Sequence, residues 1–126
     1  MTSIDDLTIR EARELAALFG NSAPHSTRVE GDGSYVIVRA RDAGVHFGKL
    51  QAYDGRTVWL TESRRLWRWK AAKGISLSDC AMFGLDASNS KICVTVPSIT
   101  ILDACEIIST DADAARNIRE QKVHTP

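Results

Sequence analysis

The chain has 126 residues, 44% of them hydrophobic and 25% charged, which is the composition of an ordinary soluble protein and the length of one domain. Its 16 basic and 16 acidic residues give a formal net charge of zero, which argues against nonspecific DNA binding through a net basic surface. No apolar run reaches the roughly 20 residues of a membrane-spanning helix, and the amino terminus lacks the apolar segment of a secretory signal. We therefore expect a cytosolic protein with no membrane partner.

The first predicted element is an amphipathic helix in residues 1–20, where apolar residues recur at helical spacing. Arg10 and Arg13 fall on its wetter face, and the simplest interpretation of that face is a solvated surface with an Arg10–Glu14 ion pair. Residues 21–33 are rich in Gly, Ser, Asp and Pro, which predicts a linker.

Residues 34–120 are predicted to form a β-rich body that ends in a helix, followed by a polar tail in residues 121–126. Its clearest signal is Asp54-Gly55, which divides two β-like runs and favours a type I′ hairpin turn with Tyr53 opposite Arg56. This register places two apolar groups on opposite faces of the hairpin, Leu50 with Trp59, and Phe47 with Val58 and Leu60.

Two apolar faces indicate that something covers each side of the sheet. One cover is expected to be the first helix, and the other a second helix or a second copy of the chain. The predicted fold is α+β: a small antiparallel sheet of about five strands, flanked by an N-terminal and a C-terminal helix, in a protein that oligomerises.

The later elements are marked by caps and breaks. Ser76 or Ser78 is placed to cap a short helix that Gly84 ends. Pro97 divides two β-rich runs, and it suits a strand boundary or edge. Residues 109–121 begin with hydroxyl and acidic side chains and continue in good helix formers, which is typical of a helix start.

Signatures of catalysis and metal binding are missing from the sequence. Cys80, Cys93 and Cys105 are widely spaced among apolar neighbours, which predicts buried reduced thiols and no metal. His46 is the histidine that falls in a predicted strand, where packing is the commoner role. No pair of acid and base is evident, so we expect a protein without catalytic activity or a cofactor.

The most unusual segment is ESRRLWRWK, residues 62–70. Strand periodicity sorts it into two faces: Arg65, Trp67 and Trp69 on one, and Arg64, Leu66, Arg68 and Lys70 on the other. Guanidinium and indole groups suit phosphate binding and base stacking, hence a nucleotide, a cyclic oligonucleotide or single-stranded nucleic acid. The alternative is that both tryptophans pack in the core, with the arginines laid over them.

Other candidate binding residues are equally open to a structural explanation. Arg116 and Arg119 share one face of the last predicted helix, which is solvated by default. Phe83 and Asn89 bracket a turn that contains Gly84, where a ring and an amide suit base recognition, although Phe83 also suits a core position.

GVHFGKL, RRLWRW, AAKGISLS and EII, followed by a polar helix, resemble in that order a small family encoded by phages and prophages, over most of residues 34–119. The pattern is similar to the phage anti-Thoeris sponge proteins of the first type. That resemblance implies a homo-oligomer, a dimer or a hexamer, in the cytoplasm of the infected bacterial host. It would sequester the signalling nucleotide glycocyclic ADP-ribose without cleaving it, and some members also hold cyclic oligonucleotides of CBASS-type immunity.

The resemblance also implies residue roles. Phe83 would stack on the adenine, Asn89 would recognise polar atoms, and Arg116 with Arg119 would bind the pyrophosphate. The resemblance also makes Arg10, Arg13 and Arg28 candidates for a second symmetric cationic site. From the ESRRLWRWK segment itself, Arg64 and Arg65 would help to hold the anion.

Two other classes of function stay open. A phage protein that binds single-stranded nucleic acid would use the same arginines and tryptophans, with an affinity that falls steeply with salt and rises with oligonucleotide length. A structural or host-interaction protein would show no thermal shift with any nucleotide.

Overall fold

A computed structural model describes residues 27–125, which form one antiparallel sheet with two α-helices. The strands are β1 (Val29–Glu30), β2 (Tyr35–Ala40), β3 (Gly44–Asp54), β4 (Thr57–Arg68), β5 (Lys91–Ile101) and β6 (Ala104–Ser109). The helices are α1 (Leu77–Phe83) and α2 (Ala112–Arg119), with a 3-10 turn at Ala87–Asn89. The predicted α+β class and C-terminal helix are confirmed, whereas the helix predicted for residues 1–20 lies outside the described residues.

The sheet is strongly curled, because its two edge strands are consecutive in the chain. The order of hydrogen-bonded strands across the sheet is β5-β4-β3-β2-β6. The short strand β1 pairs with β3 and is not part of this order. Five flat strands would hold their edges about 19 Å apart. Only Leu102 and Asp103 connect β5 to β6, a connection that spans at most about 11 Å. The edges therefore meet at this point, where the Ala104 N–H donates to the Arg56 carbonyl oxygen at 2.8 Å.

Both faces of the sheet are apolar, as predicted, and each has its own core. The inner cluster joins both edges of the curled sheet without any helical residue: Val36, Val38, Ala40, Val58, Leu60, Ile101 and Ala104. The helix-side cluster joins the other face to α1 and α2, and it includes Ile37, Phe47, Leu66, Ile92, Leu77, Cys80, Ala81, Ala115 and Ile118. One face is thus covered by two helices, and the other closes upon itself by curvature.

The β3–β4 hairpin turns at Gly55, as predicted, but its register and its geometry differ from the prediction. Asp54 pairs with Thr57, so the loop residues are Gly55 and Arg56, one position later than predicted. Gly55 has a φ of 58°, while Arg56 is not among the residues with positive φ. A glycine with positive φ at the first loop position is typical of a type II′ turn, so the type I′ prediction was wrong.

Bulges also overturn the predicted faces of the hairpin. The register between β3 and β4 shifts twice, and Leu50 therefore lies opposite Leu60 instead of Trp59. Phe47 belongs to the helix-side cluster, whereas Val58 and Leu60 belong to the inner cluster. The prediction that these three share a face was wrong, because each bulge exchanges the faces of the residues beyond it.

The caps of α1 follow the sequence signals. Ser76 accepts from the Asp79 N–H in a capping box, and Gly84, with a φ of 86°, ends the helix. In α2 the cap is Asp111, whose carboxylate accepts from the Asp113 N–H. Neither of these helices is long or apolar enough to cross a membrane.

Two further boundaries differ from the predictions. Val29–Glu30 forms a short strand on β3 inside the predicted linker. Pro97 lies within β5 and does not divide it, and the break comes instead at Leu102 and Asp103. Since β5 is an edge strand, its proline needs no ladder partner on the open side.

Candidate functional site

The ESRRLWRWK segment is a strand up to Arg68, as predicted. Its neighbouring arginines lie in opposite environments, with Arg64 buried and Arg65 exposed. Arg64 is only 3% exposed, and its guanidinium donates to four main-chain carbonyl oxygens. Nε donates to Cys93 at 3.0 Å, and Nη1 donates to Ile118 at 3.0 Å, Arg119 at 3.2 Å and Gln121 at 2.6 Å. Burial lowers the pKa of Arg64. This side chain therefore ties β4 to the carboxyl end of α2, and in this arrangement it is not a surface group for a ligand, contrary to the prediction.

The tryptophans of the segment also differ from each other. Trp67 is 68% exposed, with the ammonium of Lys91 at 5.3 Å from its ring, so the alternative that both tryptophans pack in the core fails for this residue. Trp69 is partly buried against the helix-side cluster, as a packing residue. Trp67 thus presents an aromatic face and a cation together at the surface.

A cavity of about 200 Å³ lies between β3, β4 and β5, and we call it the His46 pocket. Its lining is His46, Ser63, Arg65, Cys93, Val94, Val96 and Ile99. His46 pairs with Arg65 across the strands, and Ser63 is two residues from Arg65, so these three side chains share one face of the sheet. Arg65 is exposed, whereas His46 and Ser63 are 0% and 1% exposed.

The two buried polar groups of the His46 pocket are incompletely bonded. Nε2 of His46 lies 2.8 Å from the Ala43 carbonyl oxygen, which only accepts, so Nε2 carries the hydrogen and Nδ1 is an acceptor. Burial lowers the pKa of His46, and the nearby Arg65 adds to this, which keeps the ring neutral. Within residues 27–125, neither Nδ1 of His46 nor Oγ of Ser63 has a hydrogen-bond partner.

A second cavity of about 200 Å³ gathers basic side chains, and we call it the cationic cleft. Its lining is Arg68, Ala87, Ser88, Asn89, Ser90, Lys91 and His124. A neighbouring cavity of about 500 Å³ shares Ala87, Ser90 and His124 with it and extends along the C-terminal tail past Gln121 and Lys122. The cleft therefore runs between the 3-10 turn and the tail.

Local hydrogen bonds hold the walls of the cationic cleft in place. Asp86 accepts from the Ser88 N–H at 3.0 Å and from the Asn89 side-chain amide at 2.8 Å. Ser90 accepts from the Lys70 N–H at 3.0 Å. The His124 N–H donates to the Ile92 carbonyl oxygen at 2.9 Å, which fixes the tail. The sequence indicated Asn89 and Arg68 separately and missed His124 beside them, because the contact of the tail is not local.

The other predicted ligand residues make separate contacts. Phe83 is 48% exposed with the Lys73 ammonium 5.3 Å from its ring, and Arg116 pairs with Asp113 at 2.8 Å. The guanidinium of Arg119 lies 5.3 Å from the ring of Tyr35. In the described part of the chain, no hydrogen bond or ion pair joins Phe83, Asn89, Arg116 and Arg119 to one another.

The predicted second cationic site is only partly within the described residues. Arg10 and Arg13 lie outside them. Arg28 contacts Glu30 through Nε at 2.6 Å, and its guanidinium lies 4.7 Å from the ring of Trp59. This arginine is therefore part of the packing around β1.

The three cysteines are free thiols in different environments. Cys80 is buried in the helix-side cluster, and burial raises its pKa to about 11. Cys93 is partly buried and lines the His46 pocket. Cys105 is exposed on β6, so the prediction of three buried thiols was wrong for this residue.

Comparison with known proteins gives a family but no activity. No curated protein and no solved structure matches the chain. A family model matches residues 33–118, from the loop before β2 to the last turn of α2. The match covers about two thirds of the chain and includes every residue that lines the His46 pocket. The chain therefore belongs to the family described as a domain of unknown function, DUF6948.

Proposed function

We propose that this protein is a phage anti-defence sponge: it binds a cyclic signalling nucleotide, holds it uncleaved and so keeps Thoeris- or CBASS-type immunity from being activated in the cytoplasm of the infected host. Glycocyclic ADP-ribose is the first proposed ligand, and cyclic oligonucleotides are the second. The resemblance described above supports the ligand class. The observation that carries the proposal is the cationic cleft, in which Arg68, Lys91 and His124 surround Asn89.

The charges of the cleft suit a phosphate-bearing ligand. In residues 27–125, no ion pair engages Arg68 or Lys91, although the chain as a whole is electrically neutral. Positive charge is thus concentrated locally and is available to anionic oxygen atoms. The hydroxyl groups of Ser88 and Ser90 and the amide of Asn89 add hydrogen-bonding groups at the same wall. The exposed ring of Trp67, next to Lys91, offers a surface on which a base can stack.

We propose that the sponge is a homo-oligomer. Phe83, Arg116 and Arg119 do not line the cationic cleft, and a pocket formed between two subunits would bring such residues to the ligand together with Asn89. A pocket between rigid subunits is preorganised and buries more of its ligand, which favours tight capture. Sedimentation equilibrium tests this: a dimer or hexamer is expected, and a monomer at all concentrations would contradict it.

The binding experiment uses thermal shifts with glycocyclic ADP-ribose, cyclic di- and trinucleotides, and linear ADP-ribose as a control. The complex is then denatured by heat, and the released ligand is identified by mass spectrometry. We expect a stabilised complex and an intact cyclic ligand. No shift with any cyclic nucleotide, or a cleaved product, would contradict the proposal.

Variants locate the site. Lys91→Gln and Arg68→Gln should each weaken binding about tenfold or more, since each removes a charge-assisted contact. Arg41→Gln is the matched control, because Arg41 is an exposed arginine outside the cleft. Equal affinity in all three variants would mean that the ligand binds elsewhere.

Single-stranded nucleic acid is the second candidate ligand, because Trp67 and Lys91 together resemble a stacking platform. Oligonucleotides of increasing length distinguish the two functions. Affinity that grows with length and falls steeply with salt would favour nucleic-acid binding. Affinity that ignores length would favour the sponge.

A further inference from the structure

The His46 pocket shares no lining residue with the cationic cleft, which carries the proposed function. We propose that it is a second binding site, which takes a small branched organic monocarboxylate with a hydroxyl group beside the carboxylate. This site stands without the sponge proposal, because it rests on other residues.

The polar requirement comes from the two unpartnered groups. Nδ1 of His46 is an acceptor in a fully buried ring, so it requires a donor from the ligand. Ser63 is 1% exposed, and its Oγ can donate or accept. A buried polar atom without a partner costs roughly 1–3 kcal/mol, which a bound hydroxyl group would recover. The two groups therefore favour a ligand with its own hydrogen-bond donor.

The charge requirement comes from Arg65, the only charged residue that lines the pocket. Its cross-strand pairing with His46 places the two side chains next to each other on one face. No ion pair or hydrogen bond engages the Arg65 side chain within residues 27–125, so its planar guanidinium is available to bind a carboxylate through two oxygens. A single cation balances a single negative charge, which disfavours a phosphate dianion.

The shape requirement comes from the remaining wall. Val94, Val96 and Ile99 give the pocket an apolar side, and Val94 is 60% exposed at its opening. A branched aliphatic group would bury this surface at about 25 cal/mol per Å² of apolar area. A cavity of about 200 Å³ accommodates a ligand of this size. These three requirements meet in a 2-hydroxy acid with a branched side chain.

The test is calorimetry on the full chain with three related probes. They are 2-hydroxyisovalerate, isovalerate, which lacks the hydroxyl group, and 2-hydroxy-3-methylbutanamide, which lacks the charge. The first should bind at least tenfold more tightly than either of the others, because each loses one contact to a buried or charged group. Equal affinity of the three probes, no binding of any, or tighter binding of inorganic phosphate would overturn the proposal.

Three variants assign the contacts. Arg65→Gln should weaken the binding of 2-hydroxyisovalerate about tenfold. The affinity for isovalerate should not increase. Ser63→Ala should weaken the binding of 2-hydroxyisovalerate. The free energy of unfolding should stay unchanged or rise slightly, because the variant lacks a buried hydroxyl group without a partner. His46→Gln keeps a donor near the Ala43 carbonyl oxygen and removes the Nδ1 acceptor. If that variant does not fold, the two others still decide the matter.

A second readout uses Cys93, which lines the same pocket. Bound 2-hydroxyisovalerate should slow the alkylation of Cys93 and leave the exposed Cys105 unaffected. Unchanged alkylation of Cys93 at saturating ligand would place the ligand elsewhere and overturn the assignment.

Discussion

The guanidinium of Arg64 donates a hydrogen bond of 3.0 Å to the carbonyl oxygen of Ile118, across 54 residues of sequence. Carbonyl groups in the last turn of a helix lack partners within the helix, and the negative end of its dipole favours a cation. Arg64 meets both requirements at the end of α2, and its Nε binds the Cys93 carbonyl oxygen on β5 as well. One buried side chain therefore joins three elements of the fold.

Arg64→Lys is expected to lower the free energy of unfolding by about 2–4 kcal/mol, since a lysine cannot donate to β5 and to the end of α2 at once. Urea denaturation measures the change. Arg65→Lys is the control: this neighbour is exposed, so a change within about 0.5 kcal/mol is expected. Similar losses in both variants would show that the carbonyl contacts of Arg64 contribute little.

These adjacent arginines show how far sequence reasoning reaches. Strand periodicity assigned Arg64 and Arg65 to opposite faces, which is confirmed by their burial. The face of β4 that is covered depends on where α2 packs. Because α2 lies far from β4 in the sequence, no local pattern predicts which face that is. Sequence reasoning therefore identified the cationic segment but not the structural role of Arg64.

Local chemistry predicted the ends of α1 well, because a cap needs only residues within one helical turn. The capping box of Ser76 and Asp79 and the stop at Gly84 are of this kind. Register was less predictable: the pairing of β3 and β4 shifts at two bulges, and no local sequence pattern marked them. The His46 pocket was missed for the same reason, since its residues come from three strands.

Gly84→Ala and Gly33→Ala form a matched pair of substitutions at glycines with nearly equal positive φ, 86° and 82°. A Cβ at Gly84 would lie 2.7 Å from the side-chain amide of Asn117, whereas nothing lies within 4 Å at Gly33. Asn117 also accepts from the Leu85 N–H at 2.8 Å, so its displacement breaks a second contact. Gly84→Ala should lower the free energy of unfolding, measured by thermal denaturation, by about 1–3 kcal/mol more than Gly33→Ala does. Equal losses would attribute the whole cost to backbone strain.

Stability should fall on mild acidification because of His46. Burial holds the pKa of this imidazole below its ordinary value of 6.5 in the folded state, so the unfolded chain binds the proton more readily. The free energy of unfolding is therefore expected to decrease as pH falls through 6.5, and to stop decreasing from this cause below the folded-state pKa. The slope is limited to about 1.4 kcal/mol per pH unit for one group.

Denaturation of the wild type and of His46→Gln between pH 8 and pH 5 separates this effect from others. The variant should lose the slope, while His124→Gln, at an exposed position, should keep it. The lowered pKa values of Asp79 and Asp86 affect stability in a more acidic pH range. The stability that these carboxylates contribute to the fold is lost only as pH falls below their ordinary pKa of 3.8. A slope that persists in His46→Gln would assign the acid sensitivity to another group.

Thiol reactivity should follow the three environments of the cysteines. Cys105 is exposed and should be alkylated first by iodoacetamide at pH 8, and Cys93 should follow more slowly from its partly buried position. Burial raises the pKa of Cys80 to about 11, so little reactive thiolate forms there while the protein is folded. Mass spectrometry of timed samples gives the three rates, and addition of urea should equalise them. Alkylation of Cys80 as fast as Cys105 in native buffer would mean that α1 opens readily from the sheet, because only that opening exposes the Cys80 sulfur.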